Sequence, residues 1–161
     1  MRYYATQKIY GTCFYFRYEP SKEKLSTISQ ERVGEMIAKY GDLVKQFVER
    51  IIGARDYAKI YGTLYYNFLD KSIGFMAEEV LADDKWIDRE TLEYYFQFTD
   101  IPLIPIFAKG TQEELTDRSS PILEQLEAGI PTDGWVIKPY KYSEEGPLYK
   151  YSGVGANHVY C

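Results

Sequence analysis

The chain has 161 residues, 45% of them hydrophobic, with a net charge of −5 at pH 7 and a pI of about 5.0. That length suits one domain with a sizeable core, and the expectation is a single domain without an appended one. The acidic balance argues against tight, sequence-independent binding to long nucleic acid, because such affinity comes from cations displacing counterions at phosphates. Two cysteines, Cys13 and Cys161, predict neither a framework of disulfides nor a metal-ligand spacing, so a reducing compartment is expected. With no signal peptide at Met1-Arg2-Tyr3-Tyr4 and no apolar run of spanning length, the expectation is a soluble, cytoplasmic protein without a membrane partner.

Residues 3–18 alternate aromatics on a strand interrupted by a turn at Gly11. Over 29–52, Val33, Ile37, Tyr40, Val44, Phe47 and Ile51 recur at three- and four-residue spacing, predicting a core-facing helix with Ser29 as cap and Gly53 as stop. Residues 57–68 and 72–82 read as strands, and 88–98 as a short helix capped by Asp88. A proline-bounded strand follows at 101–107. Thr111-Gln112-Glu113-Glu114 is a capping box opening a short helix, and Ser120-Pro121 opens another through about Ala128. Strands at 134–140 and 147–151 close the sheet. Short strands bounded by turns, with one strong helical period, predict an α+β fold of antiparallel sheets with flanking helices over the whole of 1–161. The 17 tyrosines and eight phenylalanines are read first as aromatic packing and cross-strand pairs. His158, the single histidine, reads as a tail residue rather than a catalyst.

Two stretches carry chemistry. In Thr6-Gln7-Lys8-Ile9-Tyr10-Gly11-Thr12 an ammonium sits at the mouth of a glycine turn, and Thr132-Asp133-Gly134-Trp135-Val136-Ile137-Lys138-Pro139-Tyr140 offers a carboxylate and a second cation downstream. A lysine becomes a nucleophile when neighbouring cations or desolvation leave it partly neutral, and Lys138 supplies such a charge.

Gln7-Lys8-Ile9-Tyr10-Gly11-Thr12-Cys13-Phe14 resembles the nucleophile motif Glu-Lys-Ile-(Asp or His)-Gly-Thr-Asn-Phe of ATP-dependent RNA ligases of the RNA ligase 2 and editing-ligase type. Lys59-Ile60-Tyr61-Gly62-Thr63-Leu64 is similar to that family's Tyr-Gly-Glu-Leu strand, Asp133-Gly134-Trp135-Val136-Ile137-Lys138-Pro139 to Glu-Gly-Val-Val-Ile-Lys-Pro, and Leu148-Tyr149-Lys150-Tyr151-Ser152 to the closing Lys-x-Lys strand. Leu81–Asp88, Ile101–Ile106 and Lys109–Leu115 are similar to the stretch after the adenine-stacking strand. Departures accompany the matches. Gln7, Tyr10 and Cys13 replace a carboxylate, an Asp or His, and an Asn. Thr63 replaces the central Glu, Asp133 is a methylene shorter than Glu, and Ser152 stands for the second lysine. Ala77 falls near the adenine-stacking position, with Phe75 and Met76 close enough to substitute.

The resemblance implies a minimal nucleotidyltransferase domain with an ATP-grasp-like ligase adenylation fold. It implies that Lys8 attacks the α-phosphate of ATP to form a lysyl-AMP, with Lys138 and Lys150 neutralising that phosphate and Asp133 helping to hold Mg²⁺. Gln7, Ile9, Gly11, Thr12, Thr63, Phe75 and Ser152 are then the nucleotide-binding positions, and the acceptor is an RNA 5′-phosphate sealed by a 3′-hydroxyl. The lost carboxylates keep open a scaffold that binds a nucleotide, an RNA end or a protein partner without ligating. A tyrosine-rich interaction protein is the third class.

Overall fold

A computed structural model describes residues 2–28, 33–116, 128–141 and 150–152. Two antiparallel sheets form the architecture, in the α+β class expected. One has β1 (Tyr3–Ile9) at its centre between β7 (Ile106–Gly110) and β8 (Thr132–Pro139), with β9 (Lys150–Ser152) beside β8. The other runs in the order β3 (Lys24–Thr27), β2 (Thr12–Glu19), β4 (Ala58–Asn67), β5 (Ser72–Ala82), β6 (Lys85–Trp86). The segment read as one interrupted strand over 3–18 is thus two strands in different sheets, because the chain crosses over at Tyr10–Gly11. A Cβ on Gly11 would lie 2.0 Å from the Leu64 carbonyl oxygen, so the crossing passes too close to β4 for any side chain.

α1 (Val33–Gln46) buries Met36, Tyr40, Gly41 and Val44, a stripe that places it against the second sheet. It widens into a π-helical turn, Phe47–Ile52, that buries Phe47 and Val48 in succession and ends at Gly53, whose φ of +70° lets its N–H reach the Val48 carbonyl at 2.9 Å. The facing side of the sheet presents Phe14, Phe16, Ile60, Phe75 and Val80. Phe16 and Phe75 meet edge to face at 5.0 Å, and the Phe75 N–H donates to the Tyr40 hydroxyl at 3.1 Å, satisfying a buried polar handle. Each fully buried phenylalanine here contributes about 2–3 kcal/mol of apolar burial.

α2 (Arg89–Tyr95) follows Asp88, which is the N-terminal boundary residue but makes no side-chain cap bond. The proline-bounded strand expected at 101–107 is instead β7 at Ile106–Gly110, preceded by an irregular run. Pro102 and Pro105 interrupt the donor pattern a strand needs. That run lies along β5 through a single parallel bridge, Ala77 with Leu103. The capping box is present in its forward half: the Glu114 N–H donates to Thr111 Oγ1 at 3.2 Å, opening α3 (Gln112–Thr116). Ser29, the helix expected from Ser120 towards Ala128 and the start of the strand expected at 147–151 lie outside the described residues. Among the described residues no helix is long and apolar enough to cross a membrane.

The β5–β6 turn places Asp83 and Asp84 in left-handed backbone, as a two-residue hairpin requires. Asp83 also accepts from the Arg55, Asp56 and Tyr57 N–H groups at 2.8, 2.8 and 3.1 Å. These bonds, led by that from Arg55, hold its carboxyl below the usual aspartate value of about 3.9. A depressed folded-state value means the stabilisation is complete above about pH 4 and fades as pH falls towards the folded-state value. Thermal melting of Asp83→Asn should therefore show a midpoint deficit at pH 7 that narrows below pH 4; a deficit constant down to pH 3 would assign the effect to geometry rather than charge.

Candidate functional site

The two sheets face one another across a cleft, and strand alternation decides which residues enter it. In β1, Ala5 packs with Ala108, Leu115, Trp135 and Ile137 on the α3 side, so Tyr4 and Thr6 point to the second sheet. Lys8, half-buried, lies at the bulge where this alternation ends, and Ile9 beyond it packs with Met76 of the second sheet. Gln7 shares the Ala5 face and is buried there, opposite Trp135 in the ladder. The expectation that Gln7 and Lys8 flank one nucleotide is corrected by the period of two, which sends neighbours to opposite faces.

The β1–β8 ladder pairs Gln7 with Trp135 and then Ile9 with Thr132, so Asp133 and Gly134 together oppose Lys8. This is a bulge, and Gly134 has a φ of +118°. The two stretches read as chemically matched are thus adjacent strands with Lys8 at their irregularity. The side chains of Asp133, Lys150 and Ser152 lie outside what is described; by backbone register Lys150 pairs with Ile137 and Ser152 with Trp135.

A second bulge supplies a pair of groups that the sequence reading missed. β4 and β5 pair Tyr61 with Glu79 but Gly62 with Ala77, leaving Glu78 as the extra residue. Val80 and Ala77 both face the helices, so the inserted residue turns Glu78 and Glu79 together towards the cleft. Glu79 is fully buried and meets the Lys138 ammonium at 3.0 Å, tying one sheet to the other. The Tyr4 hydroxyl donates to the same carboxylate oxygen at 3.4 Å, and the Arg89 guanidinium lies 5.4 Å from the Tyr4 ring centre while donating to the Ile104 carbonyl at 2.6 Å. Lys138, expected as a phosphate-neutralising cation, is committed to this ion pair. The available signal was Glu78-Glu79 inside the otherwise apolar run Phe75-Met76-Ala77-Glu78-Glu79-Val80, since two adjacent charges break strand alternation.

Thr63 sits on the cleft face, buried, with its hydroxyl 3.4 Å from Glu78 Oε1. Burial, then the neighbouring Tyr15, push the Tyr61 phenol up, so it stays neutral beside these carboxylates. Ile9 packs with Met76, Ile104 and Ile130 and closes one end of the space between the sheets. Gly11 and Thr12 are exposed at the crossing. Phe75 is a correction. It faces the helices, wholly buried against Phe14, Phe16 and Tyr40, with no ring face open to a base. Met76 is the residue on the cleft side. Among the described residues no group of three or more Asp, Glu, His or Cys side chains is placed to hold a metal ion.

No protein-family model matches the sequence, and neither does any curated protein. Solved structures do. An archaeal ATP-dependent RNA ligase, form 2, superposes with a TM-score of 0.65 at 15% identity over 94% of this chain and 42% of that one. The Naegleria gruberi RNA ligase with PPi gives 0.66 at 12% over 95% and 49%. The fold is that of a ligase nucleotidyltransferase domain. The ligase domain of M. tuberculosis LigD, at a TM-score of 0.57 and 11% identity, covers 93% of this chain and 50% of its own. The chain therefore spans half or less of the ligase structures it resembles, and at these identities the likeness is one of fold. Within that fold the β1–β8 ladder sets the Lys8 backbone opposite Asp133–Gly134, and the Glu79–Lys138 pair ties the two sheets together.

Proposed function

We propose that the protein is an RNA-ligase-like nucleotidyltransferase that forms a lysyl-AMP from ATP and acts on RNA ends. The observation that supports the proposal is the β1–β8 register within a ligase fold, in which the backbones of Lys8 and Asp133–Gly134 oppose each other at a bulge. Mutants of the Naegleria gruberi RNA ligase have been solved with ATP and Mn and with AMP and Mn, which supports ATP and a divalent metal here.

The neutral Lys8 amine attacks the α-phosphorus; an N–P bond forms, the P–O bond to pyrophosphate breaks, and the amine proton leaves to solvent or to a nearby carboxylate. Glu78 and Asp133 offer the hard oxygen donors that suit Mg²⁺, which takes one or two carboxylates and otherwise water and phosphate oxygens. When bound, that ion would offset charge on the pyrophosphate side. Lys138 fixes the cleft through Glu79, and Lys150 is the remaining candidate for the α-phosphate. Transfer of AMP to an RNA 5′-phosphate and sealing by a 3′-hydroxyl are the later steps.

Incubation with ATP and Mg²⁺ should add one AMP moiety to the intact mass, in an acid-labile bond. A second reading, a protein of the same fold that binds a nucleotide or a protein partner without transferring, is favoured by the commitment of Lys138 to Glu79 and the burial of Phe75. ATP binding without an adduct would select it.

A further inference from the structure

The face of the second sheet that bears Thr63 and Glu79 continues past the cleft as a band of rings and cations. Tyr15 on β2 and Tyr61 on β4 are cross-strand partners with ring centres 5.7 Å apart, and Tyr61 meets Trp86 on β6 at 5.5 Å. The Lys59 ammonium lies 4.9 Å from the Tyr15 ring and 5.9 Å from the Tyr61 ring and makes no ion pair among the described residues. Next along the same face, Arg17 sits 4.5 Å over the Tyr57 ring, its charge paired with Glu19. Tyr15, Lys59 and Trp86 are all partly exposed. Packing alone explains rings on a covered face, but here half-exposed rings interleave with cations in a chain whose net charge is −5.

We infer that this band is a platform for a single-stranded RNA segment, the run of nucleotides leading into the end held at Lys8; the inference rests on the function proposed above. The occupant follows from charge and shape. Rings accept any base by stacking, and Lys59 between them supplies positive charge for a phosphate. Continuity with the site fixes the direction: Tyr61 pairs with Glu79 and lies two residues from Thr63, so the band starts at the cleft wall.

The experiment is fluorescence anisotropy with a fluorescein-labelled single-stranded RNA of about ten nucleotides, a length typical of single-strand-binding OB folds, together with intrinsic tryptophan emission. Binding should quench Trp86, and the quench should disappear in Trp86→Phe while the buried Trp135 signal remains. Tyr15→Leu should weaken binding about tenfold. Lys59→Gln, a partly exposed position that leaves the packing intact, should lower the slope of log K against log salt by about 0.7, one phosphate on a single strand. Lys59→Gln should still form the AMP adduct. RNA binding with no adduct in the unmutated protein would uphold the platform and remove nucleotidyl transfer. An adduct with no RNA binding, an unchanged salt slope in Lys59→Gln, or equal affinity for a duplex would overturn the platform.

Discussion

Lys8→Arg and Lys8→Ala should each abolish the AMP adduct completely while leaving the protein folded. The lysine is only half-buried, near the end of β1. The guanidinium of Lys8→Arg keeps the positive charge and so the attraction for ATP, but it stays protonated at any working pH and has no lone pair to offer phosphorus. Loss of the adduct with retained ATP binding in Lys8→Arg therefore separates nucleophile from charge. The measurements are intact mass after ATP and Mg²⁺ and ATP affinity by calorimetry. An adduct that persists in both variants would move the nucleophile to another lysine and break the link between the register of β1 with β8 and the chemistry.

The largest effect on stability is expected at the ion pair that joins the sheets. Lys138→Met leaves the Glu79 carboxylate buried without its cation, and breaking a buried pair from one side costs about 3–5 kcal/mol. Removing both charges behaves differently. Because much of the attraction is offset by the desolvation of two ions, Lys138→Met combined with Glu79→Leu should recover most of that loss. Urea unfolding of the two single variants and the double variant measures the cycle. A single-variant cost under 1 kcal/mol, or a double variant no more stable than Lys138→Met, would mean the carboxylate is solvated or satisfied elsewhere. The double variant also tests function: if the pair serves only to hold the cleft shut, adduct formation should survive in it, whereas a phosphate role for Lys138 predicts its loss.

Glu79 shows why half of this site escaped a linear reading. A carboxylate at 0% exposure is recognisable only once its cation is known, and Lys138 lies 59 residues away in another sheet. Phe75 shows the reverse error. Its place near an expected adenine-stacking position suggested a base platform, but the face a strand residue takes depends on register, and the bulge at Glu78 resets that register within three residues.

The amino-acid sequence by itself determined the helix over Val33–Gln46, because its apolar spacing has only one periodic solution. It also determined the antiparallel character of the sheets, through short alternating runs between turns, and led to the expectation that the Lys8 and Asp133 stretches converge, through their likeness to ligase motifs. Tertiary structure alone decided which neighbours of Lys8 share its face, that β1 and β2 part into separate sheets at Gly11, and that Glu78 and Glu79 enter the cleft together. Those outcomes depend on hydrogen-bond register between strands far apart in the chain. A bulge of one residue, which no local propensity encodes, reverses the side of every residue beyond it.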